Sequence, residues 1–180
     1  SDKPRRLSID LSDPAKRSDA DVADAMRRLG ELESLPGLSV TLGLNLAESD
    51  RIVSVLGGQR SELRPMATLG DAVVHRAREI QRLTGLDCVA VHPREGAAAA
   101  SAGGEAAWID GPFVAQPRLS TGAGDHFNAG FAFGQMHAMP IAESLACGVG
   151  VSGAYVRDAA SPSAPRLREI LMDLPLPQRM

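Results

Sequence analysis

Residues 119–134 read LSTGAGDHFNAGFAFG. Gly122, Ala123, Gly124 and Asp125 stand where a helical run begins. A helix N-terminus carries unpaired N–H groups and a partial positive charge. Glycine lets a ligand approach the backbone closely. Such a start suits an anion, most often a phosphate, and it equally suits a plain turn between a strand and a helix. Asp125 adds a second function. A carboxylate there is a common helix cap, but it is also placed to take a proton from a hydroxyl that attacks a phosphate. A backbone cradle and a positioned base are what phosphoryl transfer to an alcohol needs. The chain has no G-x-x-x-x-G-K-[ST] run, which excludes a P-loop. Phe127 occupies the place where a dinucleotide fingerprint needs its third glycine.

The elements around this stretch alternate. LSIDL (7–11) and SVTLGLN (39–45) have the alternation of strands, and DCVAV (87–91) reads as a buried one. Ser18 or Asp19 caps a helix with Val22, Ala25, Met26, Leu29 and Leu32 on one face. Helices are also expected over 47–58, ending at Gly57-Gly58, and over 70–85, with Val74, Ala77 and Ile80 inward and Gly85 as the stop. GAAAASAGGEAAWIDG (96–111) suggests two short strands around Gly103-Gly104. Further helices are expected from Ala123, over 141–158 and over 164–174. Strands alternating with helices predict one α/β domain over residues 1–180, with three α/β/α layers and a mostly parallel sheet.

Composition limits the partners. The 180 residues are 44% hydrophobic and 23% charged, with a net charge of −3. That is a globular balance, and the only basic runs noted are Arg5-Arg6 and Arg27-Arg28. Nucleic acid and anionic membranes are not expected partners, and no apolar run is long enough to span a bilayer. Cys88 and Cys147 lie in apolar surroundings and read as small hydrophobes in a reducing compartment, so the cytoplasm is the expected location. No signal peptide is read at the start. The chain opens Ser-Asp-Lys-Pro without Met and reads as part of a longer protein.

TGAGDHFNAGF resembles the C-terminal signature of the ribokinase, or PfkB-type, family of carbohydrate kinases: the glycines, the Asp, the Phe and the following Ala-Gly match in register. The resemblance implies a ribokinase-like fold, here without its N-terminal half and lid, and a reaction that moves the γ-phosphate of ATP to a sugar hydroxyl with Mg²⁺. It implies that Gly122, Ala123 and Gly124 form the anion hole beside Thr121, and that Asp125 is the base at the sugar hydroxyl. Asn45-x-x-Glu48 is similar to the family's Asn-x-x-Glu motif, associated with Mg²⁺ and phosphate; the same spacing is also a helix-capping pattern. Asp10 in DLSDP resembles an acid near the substrate, or it is only a strand-end carboxylate. In VAVHPREGA (89–97), His92-Pro93-Arg94 replaces the family's Thr-Leu-Gly stretch at the nucleotide phosphates. Arg94 can offer charge and His92 a hydrogen bond there, or the loop no longer touches nucleotide.

Thr121 and Asn128 are assigned to the nucleotide side with them. Cys147, Gly150 and Val151 correspond to the helix bordering adenine, although the small face Ala142, Ala146, Gly150 and Gly153 also suits tight helix packing. Ser120 departs from the family's Asp before Thr121. His126 is read as a surface residue. Trp108, Phe113, Phe131, Phe133 and Tyr155 are too scattered for a stacking platform. A sheet lacking its first strands exposes an edge, so a homo-oligomer is a possible state. Two other readings stand beside the sugar kinase: a nucleotide-binding or interaction domain without catalysis, and a kinase for a ring-containing vitamin or nucleoside.

Overall fold

The computed structural model describes residues 4–11, 13–58, 68–112 and 114–180. Phe113, and Ser12 of DLSDP, lie outside the described residues. The first strand, β1 (Arg5–Asp10), leads through a 3-10 turn (Pro14–Lys16) to α1 (Asp19–Glu33). β2 (Leu38–Leu44), α2 (Leu46–Val55), α3 (Leu69–Thr84) and β3 (Cys88–Val91) follow. Then come β4 (Gly96–Ser101), β5 (Ala106–Asp110), α4 (Ala123–Met136), α5 (Ile141–Asp158), α6 (Ala164–Asp173) and a short β6 (Gln178–Arg179). The Pro14–Lys16 turn and β6 were not legible in the sequence pattern; each is too short to show a period.

The boundaries follow local chemistry. Ser18 caps α1 through a reciprocal capping box with Asp21. Thr68 caps α3, and Gly85 ends it in the left-handed conformation (φ 69°), which costs glycine little. The helix expected over 47–58 stops at Val55, because Gly57 turns with φ 69° and Gly58 N–H closes back on Val53 O at 3.0 Å.

The sheet order is β1-β2-β3-β4-β5-β6. β1, β2 and β3 pair in parallel, and β4, β5 and β6 follow by antiparallel pairing. Four strands, β1, β2, β3 and β5, therefore share one direction. β1 forms an edge, with most of its residues exposed.

Helices cover both faces. α1, α2 and α3 pack with Val40, Leu42, Leu44, Val89 and Val91 on one side. On the other, Phe127 and Phe131 of α4 and Leu145 and Val149 of α5 pack with Ala90, Ala97, Ala99 and Ile109. The polyalanine strand β4 sends alternate residues into the two cores, as strand geometry requires. Its small side chains let α3 and α5 both come close. α6 packs outside α5: a Cβ on Gly150 would sit 3.1 Å from Leu167 Cδ1. Among the described residues no helix is long and apolar enough to cross a membrane.

Candidate functional site

The parallel strands end together. Asp10 closes β1 opposite Gly43, Asn45 follows β2, and His92 follows β3 with its N–H on Leu44 O at 2.9 Å. Loops at the carboxyl ends of such strands are where open α/β sheets gather ligands. The N-terminus of α4 comes to the same end of the sheet. A cavity of about 360 Å³ there is lined by Asp10, Leu11, Asp13, Asn45, Glu48, His92, Gly122, Gly124 and Asp125. A second cavity, of about 480 Å³, is lined by residues including His92, Arg94, Pro112, Ser120, Gly124, Phe127, Ser152 and Gly153. His92 and Gly124 line both.

Gly124 and His92 lie close together. A Cβ at Gly124 would sit 3.3 Å from His92 Cε1. The imidazole leans on Phe127, with centroids 4.7 Å apart. Its Nε2 is buried and has no hydrogen-bond partner among the described residues. Burial pulls the imidazole down to about 4, so it is neutral at physiological pH.

The smaller cavity is acidic. Asp10, Asp13, Glu48 and Asp125 line it, with no Lys or Arg among the lining residues. Burial, and then the charge of Asp125, holds Asp10 above the usual carboxylate range, opposed by the Asn128 hydrogen bond. Burial is also the leading reason that Glu48 lies high, with the Asp10 charge adding to it. Asn45 Oδ1 accepts from Glu48 N–H at 2.9 Å, and Glu48 Oε2 accepts from Asn45 N–H at 2.9 Å. The capping reading of Asn-x-x-Glu is thus realised, and the same cap sits in the cavity wall.

This donor set fits Mg²⁺. It is all oxygen, it is short of positive charge, and burial already penalises two of its carboxylates. No group of three or more His, Cys, Asp or Glu stands close enough to cage a metal among the described residues. That suits an ion that keeps several waters and is shared with a substrate phosphate.

Of the expected residues, Asp10, Asn45, Glu48, His92, Arg94, Gly122, Ala123, Gly124 and Asp125 line one cavity or the other. Others do not. Thr121 is exposed and lines neither; its carbonyl accepts from Tyr155 Oη at 2.9 Å. Asn128 donates through Nδ2 to Asp10 Oδ2 at 2.7 Å, which places it beneath the acidic cavity and not in the larger one.

Cys147, Gly150 and Val151 require a correction. α5 presents Val149, Ser152, Gly153 and Val156 to the larger cavity. Gly150 faces Leu167 and Leu171, whereas the Cys147 carbonyl and Val151 pack on Gly130 of α4. The expected small face is mainly a packing face. Ser152, a hydroxyl within the small-residue stretch GVGVSGA, was the available signal.

His126 is likewise not a free surface residue. It is half-buried and stacked on Tyr155 at 3.6 Å. It bonds Gly122 O through Nδ1 at 2.7 Å and Ser161 Oγ through Nε2 at 2.9 Å.

The family model for prokaryotic ketohexokinase matches residues 1–174. The chain is 31% identical over 172 residues to a ketohexokinase from Haloferax volcanii, an alignment covering 93% of this chain and 41% of that protein. A ribokinase from Cryptococcus neoformans var. grubii serotype A, solved in complex with ADP, superposes with a TM-score of 0.63 at 18% identity, over 90% of this chain and 50% of that one. Phosphofructokinase-2 from Escherichia coli, solved with substrates and products, superposes with a TM-score of 0.64 at 16% identity, over 94% of this chain and 57% of that one. At such identities these two structures establish the ribokinase-like fold alone. The chain spans about half the length of these solved structures and 41% of the curated relative. The family match covers nearly every residue, including those lining both cavities: the chain belongs to the prokaryotic ketohexokinase family, within the ribokinase-type carbohydrate kinases.

Proposed function

We propose that this chain forms the nucleotide and phosphate side of an ATP-dependent sugar kinase that phosphorylates a hydroxyl of a ketohexose. The observation that carries this reading is the meeting of two cavities at His92 and Gly124, with Asp125 in the smaller one. ATP would lie in the larger cavity, against Val149, Ser152, Gly153 and Val156, with Arg94 beside its phosphates. Its γ-phosphoryl group would reach the His92–Gly124 junction. The sugar would present its hydroxyl from the acidic side.

In the transfer, Asp125 takes the hydroxyl proton as the sugar oxygen bonds to the γ-phosphorus. The bond from that phosphorus to the bridging oxygen breaks, and ADP leaves. The Gly122 and Gly124 N–H groups, at the positive end of α4, stabilise charge on the phosphoryl oxygens. Glu48 and Asn45, with Asp10 nearby, would hold Mg²⁺ through its waters. Mg²⁺ bound there neutralises phosphate charge. Asn128 keeps Asp10 oriented beside Asp125 through their 2.7 Å bond.

The test is Asp125→Asn in the protein at its full length. Turnover of fructose should fall by about 10²–10⁴-fold, the usual worth of a positioned base, while ATP binding measured by calorimetry is spared. Unchanged turnover in the Asp125→Asn enzyme would refute the mechanism.

A further inference from the structure

The hole-forming turn is held from its outer side. Ala123 N–H donates to Ser120 O at 3.2 Å, which makes Thr121 and Gly122 the centre of a β-turn. Gly122 has φ 88° and ψ 2°. Among the described residues, positive φ outside glycine occurs only at Asp13, Ala138 and Ala159, so Thr121 has negative φ. That combination is a type II turn. Types I and II differ chiefly by a flip of the central peptide, here the one joining Thr121 to Gly122. In one orientation this peptide offers its N–H to a given side. In the other it offers its carbonyl oxygen, which repels an anion.

Tyr155 selects between them. Its hydroxyl donates to Thr121 O at 2.9 Å. In a trans peptide the following N–H points the opposite way, so the Gly122 N–H is turned away from Tyr155. Gly122 itself lines the acidic cavity. Two more side chains hold the carbonyls that follow. His126 Nδ1 meets Gly122 O, and Ser152 Oγ donates to Ala123 O at 3.0 Å.

A carbonyl only accepts, so His126 donates through Nδ1, and its Nε2 shares a hydrogen bond with the Ser161 hydroxyl. That fixes the imidazole plane on which the Tyr155 ring is stacked, with planes 12° apart. Three successive carbonyls are therefore each held by a side chain. The Gly122 and Gly124 N–H groups make no hydrogen bond among the described residues.

We propose that Tyr155 is a positioning residue, whose hydroxyl holds the Thr121–Gly122 peptide so that an N–H, and not a carbonyl, faces the phosphoryl group. The catalytic half of this inference rests on the phosphotransfer reading above; the peptide orientation does not.

The test is Tyr155→Phe, which keeps the ring on His126 and removes only the donor. Thr precedes Gly twice in these 180 residues, at Thr84-Gly85 and Thr121-Gly122. Protein labelled with ¹³C-carbonyl threonine and ¹⁵N-glycine gives one amide–carbonyl correlation for each. Thr84-Gly85, at the end of α3, reports an intact fold.

The expected result is a shifted Thr121-Gly122 correlation with Thr84-Gly85 unmoved. Alongside it, kcat of the full-length protein should fall about threefold to tenfold, the effect of one net hydrogen bond, with KM for ATP nearly unchanged. An unmoved Thr121-Gly122 correlation would overturn the inference, as would a shifted one with unchanged kcat. Absence of any phosphotransfer in the unmutated protein would count against the kinase reading instead, because the spectrum requires no turnover.

Discussion

Gly43 is the position where a single methyl group should disconnect the site. It pairs with Asp10 across the β1–β2 ladder, and Asn128 of α4 lies directly over it. A Cβ on Gly43 would fall 2.9 Å from Asn128 Cγ and closer still to Oδ1. Gly43→Ala therefore drives Asn128 off its bond to Asp10. A hydrogen bond to a charged group contributes about 1.5–3 kcal/mol, and the low end applies because Asp10 is partly open to solvent. Displacing a half-buried side chain adds about 1 kcal/mol. Alanine in place of glycine in a strand returns about 0.5–1 kcal/mol.

The net loss is about 1.5–2 kcal/mol, or roughly 3–8 °C in Tm for a chain of this size. In an Asn128→Ala background no side chain stands in the way, so Gly43→Ala should be neutral or stabilising by about 0.5–1 kcal/mol. Urea unfolding of the four proteins closes the cycle, with an expected coupling of about 2–3 kcal/mol. Additivity to within about 0.5 kcal/mol would refute the reasoning.

His92 should make stability depend on pH. Its folded-state value of about 4 lies below the ordinary 6.5, so its contribution is complete above pH 6.5 and is lost as pH falls toward 4. The loss reaches about 3 kcal/mol. The drop in urea midpoint between pH 7 and about pH 4.5 should shrink in His92→Gln, and an identical drop would contradict the assignment. Gly130→Ala should destabilise by about 1–3 kcal/mol despite a helix-propensity gain of about 1. The new Cβ would sit 2.6 Å from the Cys147 carbonyl and 2.9 Å from Gly148 Cα, backbone that cannot rotate aside; a thermal midpoint at or above the parent's would be the contrary result. Glu33 accepts from Val40 N–H at 2.7 Å and from Asp87 N–H at 2.9 Å, tying α1 to β2 and to the start of β3. Glu33→Ala should cost about 2–3 kcal/mol and Glu33→Gln less, and equal effects of the two in chemical denaturation would argue against the double acceptor.

Much of the fold was legible because its signals are local. Ser18 and Gly85 set helix ends within one turn of themselves, and the Gly103-Gly104 turn marks the reversal between two short strands. The TGAGD stretch raised the expectation of an anion site for the same reason, since a glycine turn, a helix start and an acid lie within a few residues. Sheet order, the reversal of β4 and β6, and the face each helix presents depend on distant partners. α5 shows the difference well: it is apolar nearly all round because α4, the sheet and α6 enclose it, so periodicity could not say whether Gly150 or Ser152 faces the cavity.

The sequence by itself determined the types of the longer elements and several of their ends, the family signature, and the residues at the mouth of the parallel strands. Backbone propensity and capping act within a few residues, and those residues are written side by side. Only the tertiary structure decided that His92 would form the wall between two cavities. It alone decided that Asn128 would reach Asp10 over a bare Gly43, and that Tyr155 would meet Thr121 from a different helix. Those outcomes depend on how far apart packed elements sit, and that distance is set by side-chain volumes summed across the whole core.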